Sequence, residues 1–104
     1  MNVSAVFYRQ TERAFQAEVV KYAALMRWRV YHTHDSRHSP AGFPDLVLCR
    51  ARHPRPRVVF VELKAERTPV TDDQRAWIED LRDCGMEAYI FRPSQWEEIE
   101  ELLR

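Results

Sequence analysis

Two apolar runs decide the fold: Asp45-Leu46-Val47-Leu48-Cys49-Arg50 and Arg57-Val58-Val59-Phe60-Val61-Glu62-Leu63-Lys64. Between them lies Ala51-Arg52-His53-Pro54-Arg55-Pro56, whose two prolines cannot donate ladder hydrogen bonds. The runs are therefore expected to form a hairpin. If it folds symmetrically about His53-Pro54, position 45 lies opposite 62, 47 opposite 60, and 49 opposite 58. Residues two apart on a strand share a face and lie about 6.6 Å apart, so Glu62 and Lys64 point the same way. Val59, Val61 and Leu63 form the other, wholly apolar face. Val58 and Phe60 are apolar too, so both faces are expected to be covered, with the charged pair at one end of a buried strand. Charged groups in such a place are costly unless paired or metal-bound.

The hairpin supplies a reason for them. Asp45 faces Glu62, and directly opposed Cβ atoms lie about 4.5–5.5 Å apart, where two carboxylates repel yet can hold one divalent cation. Water and the carbonyl of Leu63 would complete a shell of hard oxygen donors suited to Mg²⁺ or Mn²⁺. A cation there favours hydrolysis of a phosphodiester, and Lys64 would stabilise the developing charge or hold the attacking water. The bland alternative is a Glu62–Lys64 ion pair at a strand end, with Asp45 a turn residue after Pro44.

Working outward, Phe15, Val19, Tyr22, Ala23 and Met26 recur at helical spacing between Thr11 and Arg27. Trp28 to Thr33 alternates as a short strand, and Asp35 to Gly42 has the composition of a loop. A second helix from Thr71 places Trp77, Ile78, Leu81 and Cys84 on one face and ends at Gly85, where glycine takes a left-handed conformation. The strand Glu87 to Phe91 follows, and Ser94-Gln95-Trp96-Glu97 has the spacing of a capping box for a last helix with Trp96, Ile99, Leu102 and Leu103 inward. The order is α-β-β-β-α-β-α, an α/β fold with a central mixed sheet flanked by helices, and the 104 residues fit one domain.

No apolar run is long enough for a membrane span and no secretory pattern opens the chain, so an intracellular (cytoplasmic) protein is expected. Cys49 and Cys84 sit in apolar or helical patterns and are expected to be buried free thiols. The net charge is zero, which argues at first against a nucleic-acid partner. The average conceals an asymmetry: residues 1–67 hold 12 Lys/Arg against 6 Asp/Glu, and residues 68–104 hold 4 against 10. The basic half has few lysines; Arg27, Arg29, Arg37, Arg50, Arg52, Arg55, Arg57 and Arg67 supply most of its charge, and the planar fork of arginine suits phosphate. His32, His34, Arg37 and His38 are placed to reach phosphate from the loop and its flank. A zinc site is not expected of these histidines, since no second ligand pair follows. Trp77 and Trp96 occupy helical core positions and are expected to pack rather than stack on bases.

Gly42-Phe43-Pro44-Asp45-Leu46, Val61-Glu62-Leu63-Lys64, and Gln74 with Trp77 resemble the VRR-NUC nucleases of the PD-(D/E)xK superfamily. The likeness runs from Glu12 to Leu103 and includes the element order. It implies a restriction-endonuclease-like core and DNA cleavage with Mg²⁺ or Mn²⁺. Stand-alone members, often phage-encoded, are dimers associated with branched DNA such as Holliday junctions. By position the resemblance makes Asp45 and Glu62 metal ligands and Lys64 the catalytic lysine. A helix-one glutamate often completes such sites, and Glu12, preferred as the family's early glutamate, competes with Glu18. Gln74 matches the family's glutamine near the metal, while Thr71-Asp72-Asp73-Gln74 is equally a capping box.

The expected activity is thus a structure-selective endodeoxyribonuclease acting as a homodimer, since two cuts in a symmetric junction are related by a two-fold axis. The rivals are a sequence-specific restriction-type nuclease, for which 104 residues leave little room beyond the core, and a catalytically silent DNA-binding or interaction module. An intact Asp45, Glu62 and Lys64 argues against the silent module.

Overall fold

A computed structural model of the chain describes residues 9–34, 39–52 and 55–104. Helix α1 spans Glu12–Leu25. Strands β1 (Arg29–His32), β2 (Leu46–Arg50) and β3 (Arg57–Leu63) follow, then helix α2 (Asp72–Asp83), strand β4 (Glu87–Phe91), a 3₁₀ turn at Pro93–Gln95 and helix α3 (Trp96–Leu103). The four strands form one mixed sheet in the order β1-β2-β3-β4, antiparallel except for the parallel pair β3–β4. This is the expected α/β order, consistent with a restriction-endonuclease-like core.

The register of the hairpin is the one that symmetry predicts: Val47 pairs with Phe60 and Cys49 with Val58. The expected turn residues His53 and Pro54 lie outside the described residues. Thr11 caps α1 by accepting from the Ala14 N–H at 3.1 Å, and Phe15, Val19 and Ala23 are buried along that helix. They join Leu46, Leu48, Val59, Val61, Leu63, Phe91, Ile99 and Leu103 in one core cluster, so α1 and α3 cover one face of the sheet. Helix α2 packs on β3 and β4 and buries Ile78. Among the described residues no helix is long and apolar enough to cross a membrane.

Three expectations give way. Cys49 and Cys84 are free thiols, but both are exposed. Cys49 lies opposite Val58, itself 42% exposed, so that end of the hairpin's second face stays open, and Cys84 caps α2 beyond its buried turn. The Ser94 capping box does not form. Pro93 opens a 3₁₀ turn instead, the Gln95 side chain accepts from the Arg92 N–H at 2.9 Å, and the Ser94 N–H donates to Glu66. Trp28 precedes β1 rather than opening it; its indole N–H donates to the Leu103 carbonyl at 2.8 Å, tying α3 to the core.

Candidate metal and catalytic site

The site forms where the β2–β3 ladder stops. Its last pair is Leu46–Val61, and the next positions in the same register are Asp45 and Glu62. Both carboxylates continue the ladder with side-chain bonds: Leu63 N–H donates to Asp45 Oδ2 at 2.8 Å, and Asp45 N–H donates to Glu62 Oε1 at 3.2 Å. Each acid is therefore oriented by the backbone of the opposing strand. Asp45 is further fixed by Thr33, whose N–H donates to the Asp45 carbonyl and whose hydroxyl donates to that of Pro44, both at 2.8 Å.

Glu62 is only 2% exposed. Burial, then the hydrogen bond and negative charge of Asp45, push its carboxyl up to about 9, against the smaller opposing pull of Lys64. The pair holds a proton in place of one negative charge. A divalent cation would remove that conflict, and two hard oxygen donors held on facing strands fit Mg²⁺ or Mn²⁺.

Lys64 follows the end of β3, where its N–H donates to Phe91 O at 3.0 Å and carries the parallel pairing one step further. Its side chain is 7% exposed, and its ammonium lies 3.7 Å from Glu12 Oε1 in the first turn of α1. Of the two competing helix-one glutamates, Glu12 is the one brought to the strand ends; Glu18 is exposed and makes no salt bridge among the described residues. No group of three or more His, Cys, Asp or Glu side chains arranged to hold a metal ion occurs among the described residues.

Gln74 completes a full capping box with Thr71: Gln74 N–H donates to Thr71 Oγ1 at 3.1 Å, and Thr71 N–H to Gln74 Oε1 at 3.0 Å. Its side-chain oxygen is thus engaged in capping the start of the helix. His32 ends β1 opposite Leu46, with its ring 5.0 Å from that of His34 and its Nε2 2.6 Å from Gln16 Nε2. Arg37 and His38 lie outside the described residues. Trp77 and Trp96 are half-buried and make edge contacts, Trp77 with Phe43 at 5.0 Å and Trp96 with Tyr22 at 5.8 Å.

Two supporting residues were not singled out from sequence. Gly42 has φ +93°, and a Cβ there would lie 2.5 Å from the backbone of Asp73, so only glycine lets the Asp45 loop pass the start of α2. Its place in Gly42-Phe43-Pro44-Asp45 was the available signal. Arg92 donates through one guanidinium nitrogen to the carbonyls of Ala65, Glu66 and Thr68 at 2.6, 3.0 and 2.8 Å, fastening the segment after Lys64. Nothing local to Arg92 announces that role.

No curated protein and no solved structure matches the chain. The family model of the VRR-NUC domain does, over residues 3–95, and so spans every element that builds the site. Facing acids at a hairpin's end, a lysine just beyond them and this match agree: the chain belongs to the VRR-NUC family and carries its nuclease domain.

Proposed function

We propose that the protein is a Mg²⁺- or Mn²⁺-dependent endodeoxyribonuclease selective for branched DNA such as Holliday junctions or flaps, acting as a homodimer. The observation that carries this reading is the juxtaposition of Asp45 and Glu62 at the end of the ladder, with Lys64 immediately beyond. Asp45 and Glu62 would hold the cation, joined by the Leu63 carbonyl. When bound, such an ion lowers the pKa of a coordinated water and neutralises charge on phosphate oxygens.

The chain's own groups do the rest. Leu63 N–H and Asp45 N–H aim the two carboxylates and limit their rotation. Glu12 draws the Lys64 ammonium to the mouth of the site, where it would stabilise the non-bridging oxygens or hold the attacking water. Glu12 itself is the candidate further ligand. Gln74 would enter through its amide nitrogen, since its oxygen serves the cap. His32, His34, Arg37 and His38 would contact phosphate beside the cut. The two-fold symmetry of a junction supports the dimer, because one small site makes one nick.

The test is a panel of labelled Holliday junctions, flaps, nicked and linear duplexes incubated with Mg²⁺, Mn²⁺ or EDTA. Asp45→Ala, Glu62→Ala and Lys64→Ala each lose cleavage by at least about a hundredfold while retaining binding. If all three cut like the parent, the assignment of the site is wrong. If the parent binds but cuts nothing, the domain is a silent binding module. A monomer by light scattering that still cuts both strands of a junction in one encounter removes the dimer.

A further inference from the structure

The carboxylate site leaves much of the basic half of the sequence unused. At the other end of the β1–β2 pair, Arg27, Arg29, Arg50 and Arg52 line an open basin of about 670 Å³ together with Met26, Cys49 and Ala51, and among the described residues no acidic side chain lines it. Arg50 forms its inner wall. It is 6% exposed, lies 4.3 Å over the Trp28 ring, and donates to the backbone oxygens of Met26, Leu103 and Arg104 at 3.1–3.3 Å. None of its partners is a carboxylate side chain, and its Nε is buried with no hydrogen-bond partner among the described residues. Arg50 is thus a fixed positive charge held by main-chain oxygens and the Trp28 ring, with no acidic side chain among the described residues paired to it.

The rim is arginine as well. Arg27, Arg29 and Arg52 are exposed, and their guanidinium groups make no hydrogen bond or ion pair among the described residues. Arg27 occupies its place at a cost. Helix α1 ends in a Schellman motif, with Trp28 N–H donating to Ala23 O and Arg27 N–H to Ala24 O, which sets Arg27 at φ +70°. Helix α2 ends with the equivalent pair of bonds, and there the left-handed residue is Gly85 at φ +82°. One chain thus solves the same geometry twice, once with the residue it favours and once with an arginine at the edge of a basic basin.

We propose that Arg27, Arg29 and Arg52, backed by Arg50, bind the phosphate backbone of the DNA substrate at a point remote from the bond that is cut. The proposal rests on the DNA-cleaving reading above. Asp45 precedes β2 and Arg50 ends it, so the basin lies five residues, or about 17 Å, from the carboxylates. At one base pair per about 3.4 Å of duplex axis, that distance is about five base pairs. The arginine fork pairs with phosphate oxygens in two-point fashion, and several forks around one open basin suit the repeated phosphates of a polymer better than a single small anion. A second anchor of this kind would fix the orientation of a DNA arm without reading its sequence.

The experiment measures anisotropy of a labelled 20-base-pair duplex in EDTA between 50 and 200 mM NaCl. Each lost phosphate contact lowers the slope of log K against log salt by about 0.9. Arg29→Gln/Arg52→Gln is expected to lower it by about 1.8 and to weaken binding at least tenfold at the lower salt. Lys21→Gln/Arg75→Gln removes the same charge elsewhere and should change the slope by less than half as much. Arg27→Gly should lower the slope by about 0.9 while raising the melting temperature, because it relieves the left-handed arginine. Inorganic phosphate at millimolar concentration should leave the tryptophan fluorescence of a Trp77→Phe/Trp96→Phe background, which reports Trp28, unchanged. Unchanged slopes in the basin variants, an equal fall in the control, or tight binding of inorganic phosphate without an effect on DNA each overturn the proposal and leave the cleavage reading standing. A parent that binds neither this duplex nor a four-way junction overturns both.

Discussion

Replacing Glu62 by glutamine should stabilise the metal-free protein, although it removes a side chain at the heart of the proposed site. Glu62 is buried beside Asp45, and its carboxyl lies near 9 in the folded chain against 4.5 as its ordinary value. A carboxyl whose folded value lies above its unfolded value binds more protons when folded. Stability therefore falls as pH rises through the window from about 4.5 to about 9. At pH 7 the chain has climbed about 2.5 pH units into that window, and at 1.36 kcal/mol per unit the cost is about 3 kcal/mol. Such a cost is a large share of the ~5–15 kcal/mol typical of a folded domain. Glutamine keeps an oxygen that can accept from Asp45 N–H but needs no proton to be neutral. Urea denaturation in EDTA should show Glu62→Gln about 3 kcal/mol more stable than the parent at pH 7, with the difference shrinking toward zero near pH 4.5. Parallel stability curves for the two proteins across that range would refute the argument. Added Mg²⁺ should reverse the ranking, since it stabilises only the chain that retains both acids.

The other predictions concern the frame around the site. Arg57 donates to Glu87 at 2.7 and 2.8 Å, and this hydrogen bond, then the Arg57 charge, holds the Glu87 carboxyl below its ordinary value despite partial burial. That stability is present above the ordinary carboxylate range and lost as pH falls through the folded value, so Glu87→Gln should cost about 1–2 kcal/mol at pH 7 and much less in acid by chemical denaturation. Gly42→Ala combines a left-handed backbone with a contact at 2.5 Å and should cost about 2 kcal/mol or more in thermal melts, with loss of cleavage as the Asp45 loop shifts. Arg92→Ala frees the three carbonyls after Lys64; it should slow cleavage while DNA affinity is kept, whereas parental turnover would show that this clamp does not position Lys64.

The sequence determined the hairpin and much of the site. Register in a hairpin is a one-dimensional rule, so once the turn was centred on His53-Pro54 every pairing from Val47–Phe60 to Asp45 beside Glu62 followed by counting. Caps are equally local, which is why the Thr71–Gln74 box and left-handed Gly85 were legible. Counting fails where the deciding partner is distant in the chain. Cys49 sits in an apolar run and still faces solvent, because the helices leave that end of the sheet uncovered. Lys64 meets Glu12 across 52 positions only because α1 packs on the core through Phe15 and Val19 and brings its first turn to the strand ends. Likewise, no pattern in the sequence joins Arg27 to Arg52: the end of α1 and the end of β2 come together only when the sheet forms, and that closure turns a compositional excess of arginine into one basic basin.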